Sequence, residues 1–150
     1  MPDSGDLTYN QEMLNVEQPN GSITITDDLI ETYCEATGHP ISKDESGKIE
    51  VPVNMLNVFF NRSVQIGSNV KLKGASVGLN AGRSIEVFDT VFEGDTLERS
   101  AIFKEVYTKT GRSGTMAFEV WEILFRNPKG ELVARATDSM VYRAPGKPGK

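Results

Sequence analysis

A chain of 150 residues is long enough for one domain with a real core, and 16 basic against 21 acidic residues give a net charge of −5. That balance excludes a general nucleic-acid footprint, which is basic, while leaving room for a local basic pocket. One cysteine, Cys34, excludes an internal disulfide and fits a reducing compartment; with a single histidine beside it, no His/Cys metal cluster is available.

Along the chain, the start (Met-Pro-Asp-Ser-Gly-Asp) has neither a basic n-region nor an apolar h-region, and no apolar run approaches the ~20 residues of a membrane span. A soluble, cytoplasmic protein is expected. Residues 1–21 are polar and close on Pro19-Asn20-Gly21, which reads as a flexible N-terminal arm. Ile23-Thr24-Ile25 is a short β-branched strand. Thr26 then reads as an N-cap, Asp27 and Asp28 suit the first turn, and Gly38 ends a helix over 27–37. Residues 39–50 are irregular. Pro52 suits the first turn of a second helix over 51–62, in which Met55, Leu56, Phe59 and Phe60 form an apolar stripe widened by Val53 and Val58. A stripe that wide predicts a buried helix. Residues 63–77 read as a loop.

Residues 83–143 then read as four extended segments, 83–88, 96–108, 115–126 and 131–143, joined by turns at 89–95, 111–114 and 127–130. Gly94, Gly111, Gly114, Gly130 and Pro128 are the turn signals. Consecutive long strands with short loops give a curled antiparallel meander. In the last segment Leu132, Ala134, Ala136, Met140 and Tyr142 share one face, opposite Arg135, Thr137, Ser139 and Arg143. The third segment is apolar on both faces and is expected to be covered on both, its free face by another such domain. The fold class is therefore α+β: a long central helix wrapped by a curved antiparallel sheet, the hot-dog arrangement. Residues 22–143 form that single domain, and 144–150, with Pro145, Gly146, Pro148 and Gly149, form a flexible tail.

Four stretches carry a family resemblance: Thr24-Ile25-Thr26 through Ile30, Tyr33 and Ala36-Thr37-Gly38; Asn80 to Phe88 followed by Val91-Phe92-Glu93-Gly94-Asp95-Thr96-Leu97; Lys109 to Gly114; and Asn127 to Arg135. In order and spacing they resemble the MaoC-like and R-specific enoyl-CoA hydratases, and especially the dehydratase domains of the type-I fatty-acid-synthase-like group. The resemblance implies a hot-dog domain that binds an acyl thioester on CoA or acyl carrier protein and adds or removes water at an enoyl thioester. It implies no cofactor. In that family Gly-Asp-x-Asn-Pro-x-His follows the first helix, and its Asp and His hold the reacting water.

This chain departs from that pattern. The matching stretch is Gly38-His39-Pro40-Ile41-Ser42-Lys43-Asp44, with His39 where the family has Asp and Asp44 where it has His. One reading is a self-sufficient enoyl-CoA hydratase in which His39 and Asp44 are the catalytic pair with exchanged roles. Exchanging a long imidazole for a short carboxylate moves the reacting atoms by ångströms, which favours the other reading: a non-catalytic or partner-dependent half that binds the thioester. That half forms a homodimer or a heteromer with a homologous hot-dog chain. A hot-dog thioesterase and a bare acyl-thioester-binding protein are further alternatives. Lys104, Lys109, Gly111 and Arg112, around the 111–114 turn, are the candidate contacts for CoA phosphates, with Arg83 and Arg99 as weaker ones.

Overall fold

In the computed structural model, which describes residues 6–60 and 62–145, several strand ends fall at or near glycine or proline. A minor two-stranded ribbon pairs β1 (Leu7–Thr8) with β3 (Lys71–Leu72). The main sheet contains β2 (Glu17–Thr24), β4 (Gly78–Val87), β5 (Thr96–Gly111), β6 (Gly114–Arg126) and β7 (Leu132–Pro145), in the antiparallel order β2-β5-β6-β7-β4. The β5–β6 connection is only Arg112-Ser113, with Gly114 at φ 118°. That left-handed conformation is one a side chain would resist.

β6 is the middle strand. Its odd-numbered residues Ala117, Trp121, Ile123 and Phe125 are buried on the inner face, and Phe103 of β5 stacks on Trp121 at 5.3 Å. Burying side chains of this size contributes roughly 1.5–3 kcal/mol each. The outer residues Met116, Phe118 and Val120 are half-buried. The apolar inner face of β6 is thus covered by this chain itself, and not by a second domain. The strands left open at the sheet edges are β2 and β4.

The inner face is closed by α1 (Asp27–Thr37) and by two short 3-10 helices. Thr26 Oγ accepts the Leu29 amide at 3.3 Å, Gly38 ends the helix in the left-handed conformation, and Ile30 and Cys34 enter the core. The second expected helix differs. Val53–Phe59 is a 3-10 helix, opened by the Met55 amide donating to the Pro52 carbonyl at 3.0 Å, and a second 3-10 stretch runs over Arg62–Ser68. Val53, Asn54, Asn57 and Val58 are weak α-helix formers, and the tighter turn still buries Met55, Leu56 and Phe59. The hot-dog arrangement is present with this shorter filling in place of one long α-helix.

The expected flexible arm over 1–21 also needs correction. From residue 6 onward it belongs to the fold: Met13 is buried, the Asn15 amide donates to the Phe103 carbonyl at 2.8 Å, and β2 begins at Glu17. Pro19-Asn20-Gly21 is a β-bulge inside β2, not a closing turn. At the other end β7 continues through Pro145, and the rest of the expected tail, 146–150, lies outside the described residues.

Candidate functional site

The stretch after α1 carries His39 and Asp44. Both are at the surface. His39 Nδ1 lies 2.8 Å from the Pro40 carbonyl. A carbonyl only accepts, so Nδ1 is the donor in this contact. Asp44 organises a small loop. Its Oδ1 accepts from the Ser46 amide at 2.9 Å, the Ser46 hydroxyl at 2.7 Å and the Lys48 amide at 2.9 Å, while its own amide donates to the Lys48 carbonyl at 2.9 Å. The Ser46 hydroxyl first, then the Lys48 amide, hold its pKa below the usual aspartate value. No hydrogen bond or ion pair joins His39 to Asp44 among the described residues.

This stretch is tied to the β4–β5 turn. The Val51 amide donates to the Val91 carbonyl at 2.8 Å, and the Glu93 amide to the Ile49 carbonyl at 2.9 Å. The turn leads into β5, whose 16 residues end at the tip that carries Gly111 and Arg112. At ~3.3 Å per residue the path along β5 is about 50 Å. Lys109, Gly111 and Arg112 are therefore brought together at one end of the sheet and the His39 stretch is held at the other. Lys104 stands between them, at the bulge between Phe103 and Glu105, exposed. Lys109 Nζ lies 5.8 Å and 5.4 Å from the Tyr107 and Phe118 ring centres. Arg99 is occupied inside the chain, donating to the Gly21 and Phe59 carbonyls.

Two buried polar networks on the inner face escaped the sequence reading. Glu119, 2% exposed, accepts from the Ser68 hydroxyl, from Trp121 Nε1 at 2.7 Å and from the Tyr142 hydroxyl at 2.7 Å. Burial, then the bond to Glu119, pushes the Tyr142 phenol well above its ordinary value. Tyr142 also lines a cavity of about 510 Å³ together with Val70, Leu72, Lys71 and Lys73. In the second network Asp138, wholly buried, accepts from Gln65 at 3.0 Å, Asn80 at 2.8 Å and Arg83 Nε at 2.9 Å. Arg83 also donates to the Asn57 carbonyl at 3.1 Å and lies over the Phe60 ring. It is bound to these groups and not presented as a phosphate contact. Its Nη2 and the Asn57 Oδ1 are buried with no hydrogen-bond partner.

The signal for both networks was in the alternation. Position 138 is the missing member of the apolar series 132, 134, 136, 140, 142, and position 119 interrupts 117, 121, 123, 125 in the same way. A charged residue in the register of a buried face has to be paired.

No family model matches the sequence, and no curated protein matches it. Solved structures do. The chain is similar to a protein of the ChsH1-ChsH2 complex from Mycobacterium tuberculosis, with 17% identity over 89% of this chain and 85% of that one, at a TM-score of 0.66. It is similar to a chain of the HadBC (3R-hydroxyacyl-ACP dehydratase) complex from the same organism, with 15% identity over 86% and 96% of the two chains and a TM-score of 0.68. The MaoC-like dehydratase from Rhodospirillum rubrum gives 14% identity over 93% and 99%, with a TM-score of 0.60. The fold is that of the MaoC-like hot-dog dehydratases and hydratases.

Proposed function

We propose that this chain, built on the MaoC-like hot-dog fold, is the partner-dependent half of an enoyl-thioester hydratase or dehydratase. It binds the acyl thioester of CoA or acyl carrier protein while a homologous hot-dog chain supplies the acid–base pair. The observation that carries the reading is Asp44. Its position matches the family's histidine, yet one oxygen of its carboxylate is committed to three donors of its own loop, and among the described residues no hydrogen bond joins it to His39. A water held between two such groups needs both aimed at it, and misplacement by an ångström costs about 10²-fold in rate.

Two further features support the reading. The cationic tip of β5–β6 and the His39 stretch are at opposite ends of β5, so within one chain they do not act on the same ligand. In an assembly the tip serves a thioester whose reacting carbons lie against the partner. The open strand β4 is the docking edge: among the described residues no further strand pairs with its outer side, and Leu79 in it and Val77 just before it are each 64% exposed. Two of the similar structures are themselves complexes of hot-dog chains.

The test is hydration of crotonyl-CoA and of longer enoyl-CoA esters, followed as loss of enoyl absorbance. The purified chain alone is expected to be inactive while still binding CoA. Robust activity, abolished by both His39→Ala and Asp44→Ala, would instead establish the exchanged pair and a complete enzyme. Release of free thiol from acyl-CoA would establish a thioesterase.

A further inference from the structure

The outer face of the sheet near the β5–β6 tip holds an ordered array of side chains. The strand register sets Tyr107 beside Phe118 and Phe118 beside Val141 in one row. In the next row toward the tip, Lys109 stands beside Met116 and Met116 beside Arg143. Neighbouring strands are ~4.8 Å apart and alternate residues ~6.7 Å apart. Lys109 and Arg143 therefore stand about 10 Å apart across Met116, with the aromatic row about 7 Å behind them. The two rings are stacked, 4.9 Å between centres and 10° between planes, and Tyr107 is 36% exposed. Lys109, Arg112 and Arg143 are all exposed, and among the described residues none of them is in an ion pair. Three unpaired cations gathered at one end of a chain of net charge −5 make a local anion site. One row further from the tip stands Glu105, beside Val120.

We propose that this array binds a phosphorylated purine nucleoside, the base on the Tyr107–Phe118 row and the phosphates on Lys109, Arg143 and Arg112. The spacing of the rows, about 7 Å, suits a base and its own sugar phosphate. Glu105 repels phosphate on the far side, which orients the ligand with its phosphates toward the tip. The lysine over the rings holds the aromatic surface and the charge in one place. Two rows accommodate one nucleoside and not a run of nucleic acid, for which the acidic remainder of the sheet is unsuited. The inference deepens the thioester reading and rests on it, since CoA carries such a nucleoside at the end remote from its thiol.

The experiment is calorimetric titration of the full chain with adenosine 3′,5′-bisphosphate and, separately, with CoA, at two salt concentrations. Both ligands are expected to bind, more weakly at high salt. Lys109→Ala, Arg143→Ala and Tyr107→Ala are each expected to weaken both by roughly fivefold, and Tyr107→Phe by less than twofold. Melting temperature is followed for every variant, because the stacked rings also brace the hairpin; only loss of binding with an unchanged melting temperature supports the site. If CoA binds but the bisphosphate does not compete and the variants leave CoA affinity unchanged, the array is overturned while the thioester reading stands. If the bisphosphate binds here and no CoA thioester does, the array stands and the thioester reading falls. If neither binds, or a short oligonucleotide binds much more tightly than the bisphosphate, the nucleoside site is overturned.

Discussion

Asp138 shows how much can depend on one residue. Its carboxylate answers three donors, one of them the Arg83 guanidinium, at a site with no solvent access. Asp138→Ala leaves Arg83 in its half-buried place with no counter-charge, and the Gln65 and Asn80 amides without their acceptor. The expected loss is about 3–5 kcal/mol, read from urea unfolding midpoints. The double variant Asp138→Leu, Arg83→Met is expected to recover much of it, because the cost lies mainly in the stranded charge. A single sequence makes such a pair hard to see. The alternation shows that position 138 faces inward, but only the register of β4 against β7 reveals that Arg83 stands opposite. His39 and Asp44 are the converse case. Their residue types suit proton transfer, and the sequence carries no sign that Asp44 is engaged by Ser46 and Lys48.

At the scale of elements, the legible parts were those in which local and tertiary preferences agree. The ends of β5, β6 and β7 fall within a few residues of the glycine and proline clusters that predict them, and α1 matches its cap, its dipole charges and its terminal glycine. The stretch over 51–62 misled because apolar spacing at i, i+1, i+4 and i+5 buries equally well in a tighter helix. Two asparagines and two valines then remove the preference for the α form. The N-terminal arm misled because composition averages over residues. It is mostly polar, yet Met13 is buried in the core and Leu7, Tyr9 and Leu14 pack against it. β4 is the element on which association is expected to depend. Leu79→Lys, on its exposed outward face, is expected to abolish assembly with itself or a partner chain in sedimentation experiments. Its own melting temperature is expected to stay within a few degrees. Unchanged assembly would move the interface elsewhere, with β2 the other open edge.

For the whole molecule, the groups with shifted values contribute to the dependence of stability on pH. Glu17, held by Ser100 and Arg126, and Asp44, held by Ser46 and Lys48, both have lowered values in the fold. Their contribution is complete above their ordinary values of 4.5 and 3.8 and is lost as pH falls through the lowered ones. Tyr142 acts at the other limit. Its value is raised, so above its ordinary 10.0 the unfolded chain releases a proton that the folded chain keeps, and stability falls as pH rises. Chemical denaturation between pH 9 and 11 is expected to show this alkaline decline in the parent and a shallower one in Tyr142→Phe. The same ring ties the margin of the molecule to its interior. Gly78 opens the edge strand β4, and a Cβ placed there would come within 2.7 Å of the Tyr142 ring. No side chain fits at 78 unless that ring moves, and the ring carries the hydroxyl that holds Glu119. This bare position on the rim is therefore a gauge on the buried network: any sideways shift of β4, such as a docking neighbour could impose, reaches a carboxylate that no neighbour can touch.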